Sequence, residues 1–159
     1  MGIEIERKFL VKGWAWKALA PPLRCRQGYL CLERDKTVRV RTMGNRGFLT
    51  VKGGGAGIVR HEFEYEIPVA DAAELLAKFC RQPLIEKDRY KIEYEGLVWE
   101  VDEFFGENRG LVIAEVELER ADQVIARPAW VGREVSGDSR YFNAALSRQP
   151  FCSWPGKAG

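Results

Sequence analysis

Apolar and charged residues alternate at the start of the chain, with Arg7 and Leu10 as exceptions, and the same alternation returns along most of its length. In Gly2-Ile-Glu-Ile-Glu-Arg-Lys-Phe-Leu-Val11, residues Glu4, Glu6 and Lys8 share one face of an extended strand, while Ile3, Ile5, Phe9 and Val11 take the other. The period recurs where Arg39 and Arg41 stand among Val38, Val40 and Met43. Thr50 and Lys52 flank Val51, Glu62 and Glu64 flank Phe63, and Glu115 and Glu117 flank Val116. Eight segments are predicted as strands, at 3–11, 24–32, 37–42, 47–52, 58–68, 86–95, 97–104 and 111–119. Gly44-Asn-Arg-Gly47 reads as a hairpin turn, and Gly53-Gly-Gly-Ala-Gly57 as a flexible connection between the fourth and fifth strands. That glycine run is not a phosphate cradle, because the G-x-x-x-x-G-K-[ST] pattern and a following helix are both missing.

Helices are predicted in the longer gaps. Asp71 and Glu74 form a capping-box-like start, followed by Leu75, Leu76 and Phe79 at helical spacing through Arg81. A second helix at 14–20 is stopped by Pro21-Pro22, and weaker patterns lie at 122–126 and, after Asp138 as a cap, at 139–147. Mostly antiparallel strands with few helices indicate an α+β domain, read here as one unit over residues 1–159.

The polar faces decide how the strands close. Pairs of one sign at i, i+2 occur as Glu4/Glu6, Arg39/Arg41, Glu62/Glu64, Lys87/Arg89 and Glu115/Glu117. Pattern alone leaves two arrangements open. One is a sandwich with charges in solvent; the other is an eight-stranded antiparallel barrel with charges inside, covered from outside by Trp14, Leu75 and Phe79. A charged interior is costly to desolvate, so such a tunnel holds water, ions or ligand and is a site rather than a core.

Acidic and basic residues nearly cancel, 23 against 25, giving a net charge of +2. That balance, without an aromatic-plus-basic motif, speaks against a nucleic-acid partner. No run of 18 apolar residues and no signal-like start is seen, so no membrane association and a cytoplasmic location are expected. Cys25, Cys31, Cys80 and Cys152 form no C-x-x-C pair and read as reduced, mostly buried thiols. His61, the single histidine, is out of phase with Glu62 and Glu64 and is expected to face outward; Trp14, Trp16, Trp99 and Trp130 read as packing residues.

Several motifs run in order along the chain: Glu4-x-Glu6-x-Lys8, Gln27-Gly-Tyr29-Leu, Arg39-Val-Arg41, Thr50-Val-Lys52, and Arg60-His-Glu62-Phe-Glu64. Ile85-Glu-Lys87-Asp-Arg89-Tyr, Asp102-Glu-Phe, Ala114-Glu115-Val-Glu117-Leu and Gly132-Arg-Glu134-Val-Ser-Gly-Asp138 complete the set. This conjunction resembles the CYTH superfamily, the triphosphate tunnel metalloenzymes, and most of all its small bacterial members that hydrolyse inorganic tripolyphosphate. The resemblance implies the tunnel and not the sandwich. One departure is the stretch from Asp138 to Leu146, which lacks the second lysine often found in this helix of close relatives.

The resemblance also implies roles. Arg39, Arg41, Lys52, Lys87 and Arg89 are the expected triphosphate-binding cations: arginine forks onto two phosphate oxygens, and lysine is a compact point charge. Arg60 is a candidate for the tunnel mouth. Glu4, Glu6, Glu115 and Glu117 are hard oxygen ligands for Mg²⁺ or Mn²⁺, with two ions expected in turnover. Glu62, Glu64 and Asp102 either complete a second metal site or orient other groups. Lys8 faces Tyr29 as a dyad that takes the proton of the attacking water, or else Lys8 binds a phosphate; both roles stand open. Competing functions are class IV adenylate cyclisation, thiamine triphosphate hydrolysis, and non-catalytic binding of polyphosphate or nucleotide. A homodimer is left open.

Overall fold

The computed structural model describes residues 2–156. Within them the strands are β1 (Ile3–Val11), β2 (Leu23–Leu32), β3 (Lys36–Met43), β4 (Arg46–Ala56), β5 (Val59–Ile67), β6 (Ile85–Tyr94), β7 (Leu97–Phe104), β8 (Val112–Glu117) and β9 (Val131–Glu134). The helices are α1 (Val69–Lys78) and α2 (Asn143–Arg148). The ladder runs β5-β4-β3-β2-β6-β7-β8-β1, every pair antiparallel, and β1 closes it by pairing back onto β5 through Ile3↔His61 and Ile5↔Val59. The result is a closed eight-stranded barrel, with β9 added outside along β1. All eight predicted strands are present.

Two-residue turns make tight hairpins possible. Gly44 at φ 58° turns β3 into β4; Glu95 and Gly96, at φ 49° and 79°, turn β6 into β7, which suits the right-handed twist of the flanking strands.

The apolar packing lies largely outside the barrel, as the inside-out alternation requires. Phe9, Tyr90, Ile92, Trp99, Val101, Ala114 and Val116 project outward from β1, β6, β7 and β8 into one cluster, into which Trp16 is inserted. Val40 forms a second cluster with Ala72, Leu76 and Cys80 of α1 and its C-terminal end. The third cluster is different. Ile85, Phe104 and Ile113 lie two residues from Lys87, Asp102 and Glu115, and therefore share the inward face. They meet Tyr141, Leu146, Phe151 and Trp154 of the C-terminal segment, so one end of the barrel is filled with apolar side chains and the charged stretch lies beyond it.

Several expectations need correction. Trp14 and Phe79 do not cover the barrel: they are 59% and 69% exposed, and Trp16 takes the buried position, its Nε1 donating to the Gly13 carbonyl at 2.8 Å. The segment predicted as a helix at 14–20 is a single 3-10 turn at Ala15–Ala18. Helix α1 begins at Val69, before the supposed cap; Asp71 lies within its first turn, no side chain caps it, and Glu74 pairs with Lys78 at 3.5 Å instead. No helix forms at 122–126, where Val124 is 94% exposed and offers no apolar face to bury. The run Gly53–Gly57 is mostly strand. β4 continues through Ala56 with a register shift between Gly53 and Ala56, and a Cβ on Gly55 would meet the Val59 carbonyl oxygen, so the glycines are demanded by backbone approach rather than by looseness.

The ninth strand was not predicted. It has four residues, and Arg7 fixes it to β1 by setting Nε and Nη2 on the two carboxylate oxygens of Glu134, at 2.9 and 2.7 Å. No helix among the described residues is long and apolar enough to cross a membrane. Cys25 and Cys80 are buried, whereas Cys31 and Cys152 are partly exposed; all four are free thiols.

Candidate active site

The barrel encloses a cavity of about 420 Å³, and the inward members of the alternating pairs all line it. Glu4, Glu6, Lys8, Tyr29, Arg39, Arg41, Lys52, Glu62, Glu64, Lys87, Arg89, Glu115 and Glu117 all face it. Asp102 alone among the expected site residues does not; it lies fully buried behind Lys87 and Arg89. His61 is exposed, and Arg60 lines the cavity beside Phe142.

Strand order sorts these residues by charge. Consecutive strands β4-β3-β2-β6 carry Lys52, Arg39, Arg41, Lys87, Arg89 and Lys91. The other consecutive arc, β7-β8-β1-β5, carries Glu100, Glu115, Glu117, Glu4, Glu6, Glu62 and Glu64. Lys8 and Arg60 are the cations on the acidic arc. The tunnel thus has a basic wall facing an acidic wall.

On the acidic wall the carboxylates crowd. Lys8 Nζ lies 3.1 Å from Oε1 of Glu6 and 3.0 Å from Oε2 of Glu115, its partner in the β1–β8 register. Burial, reinforced by Glu115, pushes the Glu6 carboxyl up to about 8, although Lys8 opposes it. Burial works against the Glu115 charge too, but Lys8, a hydrogen bond from Glu6, Arg89 and Lys87 hold that carboxyl well below the usual range. The two carboxyls therefore shift in opposite directions, Glu6 up and Glu115 down. The same occurs at Glu4 and Glu62. Burial and the adjacent Glu4 carboxylate raise Glu62 to about 7; burial opposes the Glu4 charge as well, but Lys52 Nζ, 2.5 Å away, holds Glu4 below its ordinary value. Burial, Glu4 and Glu100 also raise Glu117.

Among the described residues no three carboxylates, thiols or imidazoles converge into a closed metal-ligand set. The donors present nonetheless suit a hard divalent cation. They are all carboxylate oxygens, two pairs of them are close enough to retain a proton, and Mg²⁺ is typically held by only one or two carboxylates with substrate phosphates and water supplying the rest.

The basic wall is braced from behind. Asp102 accepts Nε and Nη2 of Arg89 on its two oxygens, each at 2.8 Å, and Lys87 Nζ at 2.9 Å. Burial resists its charge, but Arg89 and Lys87 hold its pKa below the ordinary value. Asp102 orients two cations, then, and has no free edge toward the tunnel. Burial pushes the Lys87 pKa down. Arg39 and Arg41 each have a buried Nε that finds no hydrogen-bond partner, a costly state in a folded protein.

The Lys8–Tyr29 dyad meets an electrostatic obstacle. Burial opposes the Lys8 charge, but Glu115 and Glu6 outweigh it and push its pKa upward, away from the range a general base needs. Burial raises the Tyr29 phenol as well, with Arg39 and Lys8 countering only in part.

Sequence reasoning missed the contribution of the C-terminal segment. Despite the absent lysine, the start of α2 engages the tunnel closely. The Phe142 ring lies under Lys8 Nζ at 5.9 Å and under the Arg60 guanidinium at 4.9 Å, and Asn143 Oδ1 accepts from Lys87 Nζ at 3.2 Å and Gln27 Nε2 at 3.1 Å. Ser136 Oγ accepts from the Lys8 backbone N–H at 2.9 Å. These residues follow no strand alternation, so no period betrays them.

Comparison with known proteins agrees with this geometry. The CYTH domain family is matched over residues 2–145. The chain is 55% identical over 151 residues to an inorganic triphosphatase of Acetivibrio thermocellus, spanning 95% of this chain and 97% of that protein. It is 40% identical over 149 residues to an inorganic triphosphatase of Nitrosomonas europaea, spanning 91% and 96%. A solved structure of an inorganic triphosphatase superposes with a TM-score of 0.66 at 34% identity, over 91% of this chain and 93% of that one.

Proposed function

The chain belongs to the CYTH domain family, and from that premise we propose that its tunnel hydrolyses triphosphates, with inorganic tripolyphosphate the preferred substrate and Mg²⁺ or Mn²⁺ the required cation. The observation that carries this reading is the division of the tunnel into a basic and an acidic wall. A bare polyanion meets the acidic wall with repulsion, and a bare cation meets the basic wall likewise. A metal–polyphosphate complex satisfies both at once.

Arg39, Arg41, Lys52, Lys87 and Arg89 hold the phosphoryl oxygens and stabilise the charge that develops in the transition state. Glu4, Glu6, Glu115 and Glu117 hold the cation, with Glu62 beside them for a second one. When bound, the divalent ion neutralises phosphate charge and favours the hydroxide form of a coordinated water. Lys8 keeps its proton while Glu6 and Glu115 surround it, and so serves as a cation toward the attacked phosphoryl group. Tyr29, buried with its proton retained, serves as a hydrogen-bond donor.

A substrate panel tests the reading. Tripolyphosphate, ATP and thiamine triphosphate are each incubated with the full-length protein and Mg²⁺ or Mn²⁺, and products are separated. Tripolyphosphate is expected to be cleaved fastest, giving orthophosphate and pyrophosphate. Cyclic AMP with pyrophosphate from ATP would move the assignment to a cyclase, and binding without turnover of any triphosphate would leave a non-catalytic module.

A further inference from the structure

Thr50 and Glu64 stand side by side on β4 and β5, and the register extends the row across four strands as Tyr29↔Arg39↔Thr50↔Glu64. Thr50 is 1% exposed. Its hydroxyl donates to Glu64 Oε2 at 2.8 Å and accepts from Arg39 Nη2 at 3.3 Å. The same Glu64 oxygen accepts from Arg41 Nη2 at 3.0 Å and lies 3.5 Å from Arg39 Nη2. A hydroxyl has one proton to give and lone pairs to accept with, so a single atom here joins the carboxylate to the guanidinium.

We propose that Thr50 is a positioning residue: it locks Glu64 between Arg39 and Arg41 and so fixes both guanidiniums in the tunnel wall before substrate arrives, and Glu64 is thereby an anchor for the arginines and not a metal ligand. The terminal nitrogens are tethered on the Glu64 side, whereas Nε of each arginine is buried without a partner. The three contacts all fall on Oε2 of Glu64, so they turn this carboxylate toward the arginines and hold it there. Two arginines at i, i+2 also repel, and without the shared carboxylate they would splay apart. Fixing them beforehand lowers the conformational entropy lost when substrate binds.

This inference rests on the tunnel being the triphosphate site. Its test pairs Thr50→Val, which keeps the shape and deletes the hydroxyl, with Thr50→Ser, which keeps the hydroxyl. Thr50→Val is expected to raise the KM for tripolyphosphate about tenfold, with a smaller change in kcat. Thr50→Ser is expected to recover most of that loss, and the Mg²⁺ concentration for half-maximal activity is expected to stay put in both. The Nε–H resonances of Arg39 and Arg41 are followed by NMR without substrate; they are expected to be sharp in the parent and in Thr50→Ser and broadened in Thr50→Val. A lowered melting temperature with unchanged KM would make Thr50 merely structural and overturn the proposal, as would a serine variant no better than valine. A shifted Mg²⁺ requirement would return Glu64 to the metal. If the parent cleaves no triphosphate, the functional reading fails, and the arginine resonances still decide whether Thr50 positions the pair.

Discussion

Glu6 and Glu115 close on one ammonium group, with Lys8 Nζ 3.1 Å from the first and 3.0 Å from the second, and this arrangement makes stability depend on pH and metal together. Glu6 and Glu62 have folded pKa values raised to about 8 and about 7, so between the ordinary carboxylate range and those values the folded protein holds protons that the unfolded chain has released. Stability of the metal-free protein is therefore expected to fall as pH rises through that window. A divalent cation replaces the protons, so adding Mg²⁺ should raise the melting temperature more at the alkaline end than at the acidic end. Scanning calorimetry at a series of pH values, with EDTA and with Mg²⁺, checks both; a metal-free protein that gains stability across the window contradicts the arrangement.

Lys8 carries a second expectation. Held protonated between Glu115 and Glu6, it should act as a phosphate-facing cation, so Lys8→Met should lower kcat/KM by two to three powers of ten, about 3–4 kcal/mol, without removing an ionisation from the pH–rate profile. Tyr29→Phe should cost less, about 1–2 kcal/mol, the scale of one lost hydrogen bond. A profile whose alkaline limb moves in either variant, with a double mutant less than additive, would instead show the two acting together as the base.

Asp102 is expected to behave as a brace. Asp102→Asn leaves Lys87 buried without its counter-charge and Arg89 with only Glu100 and Glu115, and a loss of about 3 kcal/mol of stability is anticipated. Chemical denaturation measures it. In the folded fraction the KM for tripolyphosphate should rise while the Mg²⁺ requirement holds; a changed Mg²⁺ requirement with unaltered stability would make Asp102 a ligand.

The barrel was legible because its strands alternate. Through the middle of the barrel the inward residues of β1, β3, β4, β5, β6 and β8 are polar and most of their neighbours apolar, and a period of two survives wherever the strand is regular. The same period located the inward charges of β1, β3, β4, β5, β6 and β8. It failed where geometry stops being periodic. Phe142 and Asn143 reach the tunnel from a turn and the first residue of a short helix, β9 has four residues, and the glycine run of β4 looks like a loop because its reason is close backbone approach. Pairing also escaped the sequence. Glu64 and Asp102 are both inward acids, yet each is committed to arginines by contacts across strands that adjacent residue types do not reveal.

Acid should loosen the outer strand first. Arg7 holds Glu134, chiefly by hydrogen bonding, at a pKa of about 2, so the stability this pair contributes is present above the ordinary glutamate pKa and disappears as pH falls toward that value. Both side chains are partly exposed, which limits the contribution to about 1–2 kcal/mol. Arg7→Met should lower the melting temperature at neutral pH and make little difference near pH 2; an equal deficit at both would contradict the pairing.

The division of the tunnel into two walls is tested most directly by ³¹P NMR of tripolyphosphate turnover, comparing the parent with Arg41→Ala from one wall and Glu4→Gln from the other. With Mg²⁺ the parent should yield orthophosphate and pyrophosphate in equal amounts, and EDTA should abolish the reaction. Arg41→Ala should lose about 2–4 kcal/mol of transition-state stabilisation while circular dichroism reports an intact barrel. Glu4→Gln should lose most of its rate, recoverable in part by raising Mg²⁺. A time course undiminished by EDTA, or one unchanged in folded Glu4→Gln and Arg41→Ala proteins, would contradict the placement of metal and triphosphate between the two walls.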